Sequence, residues 1–272
     1  MPGSAPRLEI AGIGITLSCS EPAFLQQVLH RYPGFLSPPG PSLAAGPEYR
    51  LELETGPDLL PGDEAAPRIT RDGDLVRLRR RDFHLDLQPA TRALTGVVAG
   101  NVYSMDSLLR VFFTLALLEV DGLMLHGSAV RSASGGAFAF FGKSGAGKST
   151  AARLSAPRKV FSDELVVLRR LPQGWQVFGT PFWGNLESHG ENSFAPLQGL
   201  LSLVQDREVC LRPTTGAAGL RKLLGCVLFF ANQEPWVSQA TTLAAQLARE
   251  TPVQTLHFLK DDTFWRLLED AG

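Results

Sequence analysis

Cysteine is scarce in this chain: Cys19, Cys210 and Cys226 are the only three in 272 residues. They are odd in number and widely spaced, with no CxxC pair and no zinc pattern. That points to buried thiols in a reducing cytoplasm. An excess of one charge is also missing. The formal net charge is −1, so no basic field argues for nucleic acid as a partner. Nor is there a run of about 20 apolar residues, the length a membrane span needs. The nearest approach, residues 108–120, is interrupted by Arg110 and Glu119; a buried helix with Ser104 or Asp106 near its cap is expected there instead. The opening Met1-Pro-Gly-Ser-Ala-Pro-Arg7 lacks a basic flank followed by an apolar core, so no signal peptide is expected. No internal repeat is visible. The remaining composition, 44% hydrophobic and 19% charged, is that of an ordinary globular protein of one large domain or two small ones.

One stretch carries chemistry: Phe138-Ala-Phe-Phe-Gly-Lys-Ser-Gly-Ala-Gly-Lys-Ser-Thr150. It fills G-x-x-x-x-G-K-[ST] with Gly142, Gly147, Lys148 and Ser149. The apolar run 137–141 reads as a buried strand, and residues 150–154 read as the first turns of a helix. Glycines let the backbone curl so that successive N–H groups point inward, and a helix N-terminus adds positive potential there. A nucleoside triphosphate is the implied ligand. Gly142, Ser144, Gly145, Ala146, Gly147, Lys148, Ser149 and Thr150 would surround its phosphates, with Lys148 on the β- and γ-phosphates and Ser149 on Mg²⁺.

Around that stretch the chain is rich in strand patterns. Residues 7–18 read as a strand, and the lone Gly12-Ile-Gly14 within it has no third glycine and no following helix. Residues 21–32 read as a helix, 49–54 as a strand, and 75–81 and 83–87 as a meander. Arg77, Arg79, Arg80 and Arg81 form either a solvated strand face or a docking face for an acidic peptide or protein. Residues 1–100 are thus a β-rich region, either a separate substrate-docking domain or one layer of a single fold with 101–272. Residues 122–130, a small-residue turn and the strand 137–141 form a hairpin pattern, which would pair the strand before the glycine-rich loop antiparallel with its predecessor. Beyond the loop, Lys159-Val-Phe-Ser-Asp163 reads as a short strand ending in a carboxylate. Two further strands joined by a turn follow it. The loop 180–193 carries Glu187, His189 and Glu191, whose alternate spacing is a weak metal pattern; a mobile lid or substrate loop is the simpler expectation. Two helices, a strand at 253–258 and a last helix capped by Asp261 or Asp262 complete the chain.

The order His126-Gly-Ser-Ala-Val, strand, Gly-Lys-Ser-Gly-Ala-Gly-Lys-Ser-Thr, then Phe-Ser-Asp163-Glu resembles the catalytic core of the HPr kinase/phosphorylase family. The likeness covers residues 122–184, and is looser downstream in the manner of shorter HPr kinase-like proteins from peptide-modification gene clusters. It implies an α/β fold with the P-loop in a mixed sheet, as in the related phosphoenolpyruvate carboxykinase. It also implies ATP and Mg²⁺, and catalytic residues Asp163, His126 and Lys148. Asp163 would accept the substrate hydroxyl proton and touch the metal with Ser149, while His126 would sit beside the γ-phosphate or metal. The acidic pair is Asp-Glu here rather than Asp-Asp, and Glu164 points the other way from Asp163 if the strand continues. The Glu-rich segment of the bifunctional enzyme is replaced by Gln176-Val-Phe-Gly179, so neither phosphorylase activity nor HPr as substrate is implied. Arg212 is either a transition-state cation or a salt-bridged structural residue.

The expected activity is a cytoplasmic kinase, monomeric or homo-oligomeric, acting on a serine-type hydroxyl of a peptide or small protein such as a ribosomal peptide natural-product precursor. No membrane or nucleic-acid partner is expected. A small-metabolite kinase, a carboxykinase-like enzyme and a non-catalytic nucleotide sensor are the alternatives.

Overall fold

The structure, a computed structural model, describes residues 5–37, 44, 46–56, 59, 66–184 and 190–270. It is a mixed α/β chain in two compact units: Met1–Glu119 with Phe229–Val237, and Val120–Leu228 with Ser238–Gly272.

The first unit contains β1 (Arg7–Ile10), β2 (Ile13–Cys19), α1 (Pro22–Arg31), β3 (Leu36–Ser37), β4 (Glu48–Thr55), β5 (Arg68–Asp72), β6 (Leu75–Arg80), β7 (Phe83–Gln88), β8 (Ala93–Val98) and α2 (Val102–Ala116). The strands form one mixed sheet in the order β3-β1-β2-β4-β8-β7-β6-β5, parallel at β2–β4 and β4–β8. Period-two alternation decides the faces: along β4, Tyr49, Leu51 and Leu53 are buried while Glu48, Arg50, Glu52 and Glu54 are exposed. Helices α1 and α2 cover the apolar face, with Phe112 edge-on to Tyr49 at 4.9 Å between ring centroids.

Three sequence expectations change here. Residues 7–18 are not one strand but the hairpin β1–β2, turned by Ala11 and Gly12 at φ 51° and 79°. Two central residues at positive φ suit the twist of a tight hairpin, and alanine in the first place disguises it. The cap of α2 is Asn101, whose side chain accepts the Ser104 N–H at 3.0 Å. Asp106 lies inside the helix and binds Arg31 at 2.6 Å and the buried Tyr32 hydroxyl. The arginines of β6 do not share a face, because Arg77 and Arg79 turn outward while Arg80 pairs with the buried Asp82 at 3.0 Å. Arg77 pairs with Asp72 at 2.9 Å and Arg79 with Asp86.

The second unit contains β9 (Gly122–Arg131), β10 (Ala137–Phe141), α3 (Lys148–Leu154), β11 (Val160–Ser162), β12 (Leu165–Leu171), β13 (Gly174–Phe178), β14 (Phe194–Gln205), β15 (Cys210–Pro213), α4 (Gly216–Leu224), β16 (Val227–Leu228), β17 (Val253–Phe258) and α6 (Phe264–Asp270). It also takes α5 (Trp236–Glu250) from Ser238 onward. Its sheet runs β10-β9-β12-β13-β14-β17-β15, with β11 and β16 on β9. As the hairpin pattern predicts, β10 is antiparallel to β9; it is also parallel to β14. Phe140, Leu201, Leu203, Leu256, Phe258, Phe264 and Trp265 build the core beneath α3. No helix among the described residues is long and apolar enough to cross a membrane.

Candidate functional site

The site forms where β9 changes partners. Residues 122–126 of β9 pair with β12, and residues 127–131 pair with β10. His126 is the last residue of the first half, opposite Leu165, and Gly127 is the first of the second, opposite Phe141. Strands that part in this way leave a crevice at their ends, where open α/β sheets bind ligands. His126 therefore stands between the end of β10, where the glycine-rich loop begins, and the start of β12. The Gly127 N–H donates to the Glu164 carbonyl at 3.0 Å and fixes that junction.

The loop 142–147 runs from β10 into α3. Gly147 is the residue before the helix, at φ 105°. Lys148 is 9% exposed, and its ammonium donates to the carbonyls of Gly142 at 3.0 Å and Lys143 at 3.4 Å. Three residues that the sequence reading did not single out support this geometry. The buried Ser128 hydroxyl donates to the Lys148 carbonyl at 3.1 Å. The Gln205 amide, at the end of the parallel neighbour β14, donates to the Gly145 carbonyl at 3.2 Å. Cys226 accepts the His126 N–H on its carbonyl at 2.7 Å. Burial pushes the Cys226 thiol up, against the opposing pull of the Gly142 N–H and the Lys148 charge. Only Ser128 had a sequence signal, as part of His126-Gly-Ser.

Gly147 offers a direct check on the loop. A Cβ there would lie 2.7 Å from the Phe258 ring, in a backbone region that side chains avoid. Gly147→Ala is expected to cost about 1–3 kcal/mol of stability from strain and overpacking together, read by urea unfolding. Wild-type stability in that variant would mean the loop is shaped otherwise.

The acidic end of β11 is a bend, not a continuing strand: β11 stops at Ser162 and β12 starts at Leu165. The Ser162 hydroxyl accepts the N–H groups of Glu164 and Leu165, both at 3.3 Å, and donates to the Phe182 carbonyl at 3.0 Å. Strict alternation is lost at this bend. Asp163 is 2% exposed, and its Oδ1 accepts the Gly184 N–H at 2.9 Å. Glu164 turns to the opening, with Oε1 at 3.9 Å from His126 Nε2.

A cavity of about 380 Å³ results, lined by Ser144, Gly145, Gly147, Lys148, Ser149 and Thr150 on the loop side and by His126, Glu164 and Gln205 around it. Its size falls within the range of small-ligand sites. One wall presents an ammonium, the three hydroxyl residues Ser144, Ser149 and Thr150, and backbone; another presents an imidazole and a carboxylate. Such a set can hold a polyanion and move a proton beside it. Asp163 and Arg212 do not line the cavity, and Arg212 lies on β15 opposite Thr255. Of the residues in the proposed metal pattern, Glu187 and His189 lie outside the described residues, and Glu191 pairs with Lys159 at 3.3 Å. A larger cleft of about 680 Å³, on the open face of the first unit's sheet, contains none of the residues predicted to bind nucleotide or metal; of the four arginines named as a docking face, Arg79 lines it. No protein-family model matches the chain, and no curated protein matches it at a significant level.

Proposed function

We propose that the chain is an ATP- and Mg²⁺-dependent kinase of the HPr kinase-like type, transferring the γ-phosphate to a serine-type hydroxyl of a peptide or small protein. The observation that carries this reading is the cavity in which the G-x-x-x-x-G-K-[ST] residues face His126 and Glu164. Phosphoryl transfer asks mainly for positioning and charge neutralisation. Under this reading 142–149 is a P-loop. Lys148 would leave the carbonyls of Gly142 and Lys143 for the β- and γ-phosphates, and Ser144 to Thr150 would line the rest of the phosphate chain.

Among the described residues, no group of three or more His, Cys, Asp or Glu could hold a metal on its own. Mg²⁺ binds largely through substrate phosphates and water, with one or two protein oxygens. Ser149, on the cavity wall, is the residue that would hold it, and the ion would neutralise charge on the transferred group. Three free thiols fit a reducing, cytoplasmic setting.

The test is transfer from γ-labelled ATP into a fractionated lysate of the source organism, with wild-type protein or Lys148→Ala. Label in a peptide or small-protein band, absent with the variant, is the expected result. Label confined to small molecules would favour a metabolite kinase. ATP bound with no label anywhere would leave a nucleotide sensor and end the kinase reading.

A further inference from the structure

The two neighbouring carboxylates at the bend are held in different ways. Asp163 is buried, with one oxygen committed to the Gly184 N–H at 2.9 Å. The Glu164 side chain is 30% exposed, lines the cavity and faces His126 at 3.9 Å. The Gly184 main chain packs against both of them. A Cβ on Gly184 would lie 2.7 Å from Glu164 Oε2 and 3.3 Å from Asp163 Oδ2. The missing side chain is therefore what lets both carboxylates fit beneath that segment.

A general base must come within about 2.6–3.2 Å of the proton it removes, or reach it through one water. Glu164 lines the cavity, where an acceptor hydroxyl would enter. Asp163 is buried, has Oδ1 on the Gly184 N–H and does not line the cavity. His126 Nε2 stands 3.9 Å from Glu164 Oε1 on the same cavity.

Resting on the kinase reading, we propose that Glu164 takes the acceptor's hydroxyl proton, and that Asp163 is a positioning residue tying the Gly184 segment to the bend. The acceptor oxygen bonds to the γ-phosphorus as its proton passes to the Glu164 carboxylate. The bond from that phosphorus to the β–γ bridging oxygen breaks, and its electron pair leaves on ADP. His126, 46% exposed, passes the proton on to water. This division of labour reverses the role that family resemblance gives to Asp163.

The probe is single-turnover hydrolysis of γ-labelled ATP with Mg²⁺, water serving as acceptor, alongside titration with a fluorescent ATP analogue. Glu164→Gln is expected to hydrolyse at least about 100-fold more slowly, the lower end of what a positioned base contributes. Its analogue affinity should stay within about threefold of wild type, as should the melting temperature. Glu164→Asp, which keeps the carboxylate, should recover part of the rate. Asp163→Asn should lose less than about tenfold in turnover, with KM for ATP unchanged. A 100-fold loss in Asp163→Asn with near-wild-type turnover in Glu164→Gln, both still binding the analogue, would overturn the assignment and leave the kinase reading intact. Wild-type protein that neither binds the analogue nor hydrolyses ATP would overturn both.

Discussion

Lys148→Ala should weaken ATP binding by about 10- to 100-fold and slow phosphoryl transfer by at least 100-fold. The Lys148 ammonium is 9% exposed and satisfied by two loop carbonyls, at 3.0 and 3.4 Å. It is thus held at the loop's inner edge before any ligand arrives, at little further entropic cost. A hydrogen bond to a charged group contributes about 1.5–3 kcal/mol, a factor of roughly 10 to 150 in affinity. The effect on turnover is larger, because charge shifts toward the bridging oxygen in the transition state and preorganised cations act most strongly there. Lys148→Arg keeps the charge but spreads it over a planar fork of different reach, so it should restore binding better than turnover. Fluorescent-analogue titration and γ-label transfer separate the two quantities. Equal affinity and turnover in Lys148→Ala would mean that this loop does not hold phosphates.

The site's main parts could be read from the sequence because each rests on local rules. The glycine spacing, the strand before it and the small-residue turn at 132–136 are contiguous signals, and the antiparallel β9–β10 pair follows from them. What could not be read depends on contacts far apart in the chain. The parallel neighbour β14 begins more than fifty residues after β10 ends, so Gln205 and its hold on Gly145 have no local mark. Cys226 reaches the loop start through β16 and gives no sign of it in the sequence. Glu164 was hidden for a different reason. Alternation assigns faces only while a strand continues, and the Ser162 hydroxyl ends β11 just before the pair. Sequence alone also overstated the arginines of β6 as a single feature, since period two sends Arg80 to the opposite side from Arg77 and Arg79.

The largest stability effect is expected in the first unit, at Arg7. Its guanidinium is buried and spans three other groups: Nη1 donates to Glu9 at 2.8 Å and Ser37 at 2.5 Å, while Nη2 and Nε grip Glu48 at 2.5 and 3.0 Å. The hydrogen bonds it donates to Glu48, together with Glu9, hold the guanidinium above its ordinary pKa against the opposing effect of burial. Glu48 lies two strands away, beyond β2, and crosses it over Gly14, where a Cβ would meet the carboxylate at 2.1 Å. The second glycine of Gly12-Ile-Gly14 is therefore a passage for an ion pair, as the first is a turn. Arg7→Met removes this cation from the buried Glu9, and breaking one side of a buried pair costs about 3–5 kcal/mol. For a unit of this size the thermal transition should fall by roughly 10 °C or more. Arg7→Met with Glu9→Leu should regain most of that loss, because replacing both partners by apolar groups removes the stranded charge. Gly14→Ala should reproduce part of it by closing the passage. Calorimetry of the three variants decides the matter: a drop under about 1 kcal/mol in Arg7→Met, the level of an exposed pair, would show that the cluster contributes no more than a surface salt bridge.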